Sequence, residues 1–148
     1  MKKADYLFLF VAFGCIGITT EIFFTAIVDA ITAVQNSEPI NWRLLGTSYI
    51  WMFPIYGLAG LAFPVLMGKI GKWPAWLRWA FYGVVILAVE FVTGWALDMA
   101  TGRCPWEYTT GWHIMGYIRL DYYPLWVGFG IMIERIYLLL GNKLGLGK

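Results

Sequence analysis

Two glutamates interrupt long apolar stretches of this sequence, and they are the residues best placed to do chemistry. Glu21 lies in the first such stretch and Glu90 in the third. A carboxyl in the middle of a membrane span costs about 3 kcal/mol, so it normally faces a bundle interior or a water-filled cavity. The chemistry this suggests is binding of a cation, a proton or a small amine. The alternative is a structural carboxyl that is neutral or hydrogen-bonded to another helix. The partners then expected are Tyr56, Thr20, Thr93 or an arginine.

A second set of polar and aromatic residues lies between about residues 101 and 123. Tryptophan and tyrosine favour the headgroup zone, so the segment is read either as an interfacial belt or as a cap over the outer end of the helices. The two readings are compatible. Its aromatic residues are Trp106, Tyr108, Trp112, Tyr117, Tyr122 and Tyr123. Its charged residues, for which ion pairs are expected, are Arg103, Glu107, Arg119 and Asp121. Arg119 could alternatively anchor an anionic headgroup or substrate.

Other candidates have simpler expected roles. Asp29 and Asp98 lie near helix ends, where water solvates them. Glu134 is expected to reach the cytoplasmic interface or to pair with Arg78 or Lys69. His113 is interpreted as a hydrogen-bonded loop residue rather than a ligand. The glycines expected at close helix contacts are Gly57, Gly60, Gly128 and Gly130.

The composition excludes several classes of protein. Apolar residues make up 60% of the 148 residues and charged residues 14%, whereas a soluble domain has about 45–50% and about 25%. Lipid is therefore the solvent that fits. A net charge of +2 gives no basis for nucleic-acid binding. One histidine and no C-x-x-C motif leave a structural zinc site without ligands, so we expect no metal centre and no cofactor. No familiar catalytic constellation occurs, and an enzyme is the less favoured interpretation.

Four segments are long enough to cross a bilayer of about 30 Å at about 1.5 Å per residue. They cover about residues 6–34, 47–67, 77–100 and 122–140. Pro54 and Pro64 would kink or open the second. The first resembles a signal peptide but is expected to be retained as a span. The sequence thus predicts an all-α integral membrane protein, a four-helix bundle that forms a single domain over residues 1–148.

Basic residues set the predicted orientation. The side shared by both termini and the middle loop carries seven of them, and the opposite side carries Arg43, Arg103 and Arg119. The excess of positive charge places both termini in the cytoplasm and the protein in the plasma membrane. The seven are Lys2, Lys3, Lys69, Lys72, Arg78, Lys143 and Lys148.

The first and third segments share a pattern. Glu21, Thr25 and Asp29 are spaced four residues apart, which aligns them along a helix. The same spacing returns 69 residues later in Glu90, Gly94 and Asp98. At that shift, Phe13 corresponds to Tyr82 and Gly14 to Gly83. The pattern indicates a parallel repeat of two hairpins.

Several motifs together resemble a known family. They are TEIFFTAI (20–27), WMFPIYG (51–57), VEFVTGW (89–95), CPWEYTTG (104–111), MGYIRLDYYPLW (115–126) and IMIERIY (131–137). The chain resembles the transmembrane protein 229 family and its bacterial CmpB-like relatives, described as "putative ABC-transporter type IV" proteins. The family pattern falls on Glu21, Tyr56, Gly57, Glu90, Thr93, Gly94, Trp106, Glu107, Tyr108, Gly116 and Trp126. Here Glu107-Tyr108-Thr109 replaces the usual Asp-Tyr-Ser. The resemblance implies transport, and without an ATP-binding segment an ABC role requires a separate ATPase subunit.

Three functions follow as hypotheses. The first is a transporter, channel or transporter subunit with an acidic intramembrane site for a cation, proton or small amine. The others are a membrane-embedded enzyme acting on a lipid or isoprenoid-like substrate, and a non-catalytic lipid-binding protein. The candidate site residues are Glu21, Glu90, Tyr56, Thr93, Trp106, Glu107, Tyr108 and Arg119. The expected partners are the bilayer, a bound lipid or small cationic solute, and a second copy or an ATPase.

Overall fold

The computed structural model describes residues 3–144, which contain four long helices. They are α1 (Lys3–Gln35), α2 (Met52–Ile70), α3 (Ala75–Thr101) and α4 (Tyr123–Leu144). Each is long and apolar enough to cross a membrane, which confirms the four predicted spans. Between α3 and α4 lie β1 (His113–Ile114), β2 (Ile118–Arg119) and a 3-10 turn (Leu120–Tyr122). This small antiparallel sheet is the one departure from all-α structure among the described residues.

The second helix begins later than the predicted span, at Met52 rather than near residue 47. The backbone of Thr47 is hydrogen-bonded to a side chain of α1 instead of continuing a helix. Pro54 consequently falls in the first turn of α2, where a missing N–H costs little. Only Pro64 lies inside the helix. The third helix ends at Gly102, whose φ of 77° is left-handed and suits glycine.

The chain divides into two compact units, Met1–Leu66 and Met67–Lys148. In the first unit, α1 and α2 pack through glycines set against aromatic rings. A Cβ on Gly14 would overlap the Phe53 ring, and a Cβ on Gly60 would overlap Phe13. Phe13 is buried and also contacts Phe63, with ring centroids 6.4 Å apart. This contact is the apolar centre of the first unit.

The second unit packs α3 and α4 antiparallel in the same manner. A Cβ on Gly83 would overlap Tyr123 and Val127, and a Cβ on Gly130 would overlap Tyr82. The Tyr123 hydroxyl donates a hydrogen bond of 2.9 Å to the backbone oxygen of Ala80. The start of α4 is thereby fixed against the first turns of α3.

Three of the four glycines predicted at close contacts are confirmed. Gly57, Gly60 and Gly130 each face a ring at a distance that leaves no room for a Cβ. The prediction for Gly128 is wrong, because no described atom lies within 4 Å of where its Cβ would be. Gly128 and Gly130 point to different sides of α4, and only one side meets α3.

Candidate functional site

Glu21 lies in a cluster of hydroxyl groups within the first unit. Its Oε2 accepts a hydrogen bond of 3.1 Å from Ser48 Oγ and one of 3.2 Å from Tyr56 OH. Ser48 comes from the linker between α1 and α2, and Tyr56 comes from the second turn of α2. The carboxylate is half-buried and held from two directions. The structure therefore brings together two residues that the sequence singled out, Glu21 and Tyr56.

One helical turn further along α1, Thr25 holds the same linker. The Thr47 backbone N–H donates to Thr25 Oγ1 at 2.8 Å, and Thr25 Oγ1 donates to the Thr47 backbone oxygen at 3.0 Å. A Cβ on the preceding Gly46 would overlap the Ile22 carbonyl oxygen, so only glycine lets the linker lie this close to α1. We call Glu21, Thr25, Thr47, Ser48 and Tyr56 the Glu21 cluster.

Glu90, the corresponding acid of the second unit, lies among aromatic side chains. Its Oε1 accepts a hydrogen bond of 2.7 Å from Tyr108 OH. The Tyr108 ring packs edge-on against Tyr122, with centroids 5.9 Å apart. Burial and the neighbouring Glu90 raise the pKa of the Tyr108 phenol well above its ordinary value. Tyr108 is therefore a neutral donor to Glu90 at any physiological pH.

Arg119 closes this group at the loop side. Its guanidinium forms an ion pair with Asp121, donates a hydrogen bond of 3.0 Å to Tyr122 OH and lies 4.1 Å from the Tyr122 ring centroid. The hydrogen bond to Asp121 raises the pKa of Arg119, so its charge is permanent. The predicted ion pairing within the loop is confirmed for this arginine. We call Glu90, Tyr108, Tyr122, Arg119 and Asp121 the Glu90 cluster.

The remainder of the loop is attached to the last turns of α3. Trp106 Nε1 donates 3.1 Å to the Tyr117 backbone oxygen, and Tyr117 OH donates 2.7 Å to Asp98 Oδ2. Gly94 lies beneath them, with Cys104 Sγ and Trp106 Nε1 each 3.3 Å from where its Cβ would be. Cys104 is buried here, and burial raises the pKa of its thiol.

Some predicted site residues are not part of either cluster. Thr93 Oγ1 donates to the backbone oxygen of Val89 at 2.7 Å, within its own helix. Glu107 is exposed on the loop. His113, which was not predicted as a ligand, is exposed on β1. Sequence reasoning missed Thr47 and Ser48, because nothing in this linker indicates which uncharged residues touch an acid; Ser48 lies 27 positions from Glu21.

A third polar group fills the contact between α3 and α4. Glu134 is 2% exposed, and its carboxylate accepts hydrogen bonds from Arg78 Nη2 at 2.7 Å, Arg78 Nε at 3.2 Å and Tyr82 OH at 2.6 Å. Arg78 also donates 2.7 Å to the backbone oxygen of Trp73, in the turn after α2. The predicted pairing of Glu134 with Arg78 is confirmed. Every donor in this group has an acceptor of good geometry, as a buried ion pair requires.

Similarity to known proteins now adds to these observations. A family described as "Putative ABC-transporter type IV" matches residues 8–144. The chain belongs to this family. Its description denotes an ABC-transporter-related membrane protein, and the four apolar helices agree with a transporter-type role for a multi-pass integral membrane protein. The family range includes both clusters and the Arg78–Glu134 pair. No solved structure matches the chain.

Proposed function

We propose that this protein is a transporter, or the membrane subunit of one, with an acidic intramembrane site for a cation, a proton or a small amine. One observation carries the proposal. In each unit, a glutamate on the longer helix accepts hydrogen bonds from hydroxyl groups of the same unit. Glu21 accepts them from Ser48 and Tyr56, and Glu90 accepts one from Tyr108. Hydroxyls that donate to a carboxylate favour its ionised form, and they can rotate away when a cation or proton replaces them.

The free-energy cost of placing a carboxyl within a membrane span supports a role in transport. A carboxyl within a span is costly, and residues that persist there mark ion and proton pathways. A purely structural polar contact could use serine or threonine at less cost. Each unit carries one such glutamate, Glu21 in the first and Glu90 in the second.

The lipid-directed alternatives find less support. The enzyme alternative uses Glu90, Glu107 and Arg119 near the headgroup plane, and the Arg119 guanidinium is already engaged by Asp121 and Tyr122. An anionic ligand would have to displace Asp121. A lipid retained in fixed stoichiometry in native mass spectrometry would reverse this preference.

Partners and orientation belong to the same proposal. We expect both termini in the cytoplasm, with a separate ATPase subunit or a second copy as partner, and a relationship to the transmembrane protein 229 family. Cysteines introduced at Ser37 and Thr110 should react with an impermeant reagent from outside. A cysteine at Gly71 should react only after permeabilisation. The reverse pattern would place the aromatic loop in the cytoplasm.

Flux measurements in proteoliposomes test the proposed function. Purified protein is reconstituted with an internal dye for pH or for Na+, or assayed with radiolabelled methylammonium, and gradients of protons, Na+ and methylammonium are imposed in turn. We expect flux of at least one of them, and Glu90→Gln and Glu21→Gln should slow it about tenfold or more, since an amide keeps the shape but not the charge. Glu38→Gln, an exposed linker acid, is the matched control.

Two outcomes would contradict the proposal. The first is wild-type protein that carries none of the three solutes above the rate of empty vesicles, alone or with an added ATPase partner. The second is Glu90→Leu that is more stable than wild type and fully active, because the carboxyl would then be structural.

A further inference from the structure

The Glu21 cluster contains more oxygen atoms than a proton site needs. Ser48 Oγ and Tyr56 OH lie 3.1 Å and 3.2 Å from Glu21 Oε2. Thr25 Oγ1 and the Thr47 backbone oxygen, 3.0 Å apart, follow one turn along α1. Because Thr47 and Ser48 are consecutive, the two groups of oxygen atoms are neighbours along the linker. Oxygen atoms from a carboxylate, hydroxyls and a backbone carbonyl are the ligands that hard cations prefer.

The backbone around Thr47 is not helical, so its carbonyl oxygen is not taken up by a helical hydrogen bond. Residues 41–51 form no helix, and Gly46 allows the linker to lie directly against α1 at the level of Ile22. Non-helical backbone within a membrane domain is tolerated where it is buried in protein or lines a cavity. In transporters, carbonyls of unwound segments coordinate Na+.

The charge of the cluster limits the ion that it can hold. Glu21 is its single carboxylate, and among residues 3–144 Glu21 forms no ion pair with a basic side chain. One negative charge balances one monovalent cation, whereas divalent cations are usually held by several carboxylates or by bound phosphates. The small set of oxygens favours Na+ over the larger K+.

The Glu90 cluster lacks these properties. Tyr108 is its hydroxyl donor to the carboxylate, its other members are Tyr122 and the Arg119–Asp121 pair, and it includes the fixed positive charge of Arg119. The two acids thus differ in what surrounds them, although their helices carry them at equivalent positions.

We infer that the Glu21 cluster is a binding site for Na+, formed by Glu21, Thr25, Thr47, Ser48 and Tyr56. The inference rests on the proposed function and specifies the solute at one of its two acids. The hydrogen bonds of Ser48 and Tyr56 to Glu21 hold the oxygens in place until the ion replaces them. Thr47 is exposed, which gives the ion a route from the linker side.

Cation-dependent unfolding of the full-length protein in detergent tests this site. Tryptophan fluorescence is followed during heating in NaCl, LiCl, KCl or choline chloride at constant total salt. We expect Na+ to raise the unfolding temperature in a saturable manner, because a ligand that binds only the folded state stabilises it. Choline, which cannot enter an oxygen site, should not. Equal stabilisation by Na+ and choline would overturn the inference.

Substitutions within the Glu21 cluster test whether the rise in unfolding temperature with Na+ comes from this site. Ser48→Ala removes one oxygen and should raise the half-saturating Na+ concentration about tenfold, while Glu21→Gln should abolish the response. Ser48→Thr keeps the hydroxyl and should restore most of it. Ser37→Ala and Glu38→Gln, exposed residues of the same linker, are the controls. A full Na+ response in Glu21→Gln would contradict the assignment.

The outcome separates this inference from the proposed function. If Na+ has no specific effect but flux of protons or methylammonium still depends on Glu21 and Glu90, the sodium site is wrong and the transport proposal stands. If neither Na+ stabilisation nor glutamate-dependent flux is found, both fail.

Discussion

The two units share two glycine–ring contacts between their helices. Gly14 faces the ring of Phe53 in the first unit, and Gly83 faces the ring of Tyr123 in the second. The pairs correspond at a shift of 69 residues on the first helix and 70 on the second. At the same shifts, the contact of Gly60 with Phe13 corresponds to that of Gly130 with Tyr82. The contacts therefore follow the spacing of the predicted repeat of two hairpins, which stays a prediction.

The units differ in what fills the space next to these glycines. The first unit has the buried apolar side chains Leu9 and Phe13, where the second has Arg78 and Tyr82. Pro64 corresponds to Glu134, which holds the arginine. One packing arrangement therefore accepts either an apolar contact or an ion pair, and the polar version must be complete to be stable.

The largest effect is expected from breaking the ion pair of the second unit. Glu134→Leu or Arg78→Leu alone leaves one buried charge without its partner, which should cost about 3–5 kcal/mol of unfolding free energy. The side chains are 15% and 3% exposed for Arg78 and Glu134, so water can compensate little. Unfolding in mixed detergent micelles measures the loss.

Replacing the polar residues of the second unit by apolar ones, as in the first unit, tests whether the two units share one packing arrangement. The triple variant Arg78→Leu, Tyr82→Phe, Glu134→Leu removes both charges and the tyrosine hydroxyl, and should regain most of the stability lost by either single variant. Glu38→Gln, at an exposed position of the linker between α1 and α2, should change stability by less than about 0.5 kcal/mol. A triple variant no more stable than the singles would show that the two units do not share one packing arrangement.

Smaller changes in stability, of opposite sign at different positions, are expected at three glycines. Gly60→Ala and Gly130→Ala should each destabilise their unit by about 1–3 kcal/mol, because the added methyl overlaps Phe13 or Tyr82. Gly128→Ala has free space and should stabilise α4 by about 0.5–1 kcal/mol, since alanine favours helix. Unequal costs at Gly60 and Gly130 would weaken the correspondence between the units.

The smallest effect concerns the reactivity of the two cysteines in detergent. Cys15 is exposed on α1, whereas Cys104 is buried under the aromatic loop. Since the pKa of Cys104 is raised and the thiolate is the reacting form, it should react with N-ethylmaleimide more than about tenfold slower than Cys15 at neutral pH. Its rate should increase as the pH rises toward that pKa. Mass spectrometry of the alkylated peptides gives both rates, and denaturation in SDS should equalise them. Equal rates in the folded protein would mean that the loop does not cover Cys104.

Much of this fold follows from hydrophobicity alone, but little of the site does. Apolar length located all four helices, and the basic partner of Glu134 was among those expected, because few charges occur in this chain to pair with it. The predicted start of α2 is too early because the apolar run continues through the linker, where Thr25 binds the backbone of Thr47. Ser48 could not be found, since an uncharged serine gives no signal in one sequence. Gly128 and Gly130 look alike in sequence, and only the contact with α3 distinguishes them.

The buried pair of Arg78 and Glu134 also affects how the protein enters the membrane. Helix α4 carries Glu134 and Arg135 near the middle of its length, and a single acid there opposes insertion by the translocon. Because α3 leaves the ribosome first, Arg78 is already present when Glu134 emerges. A carboxylate paired with Arg78 costs less to bury than an unpaired one, so we expect α4 to partition together with α3 as a helical hairpin. Insertion of α4 should then depend on Arg78 of the preceding helix.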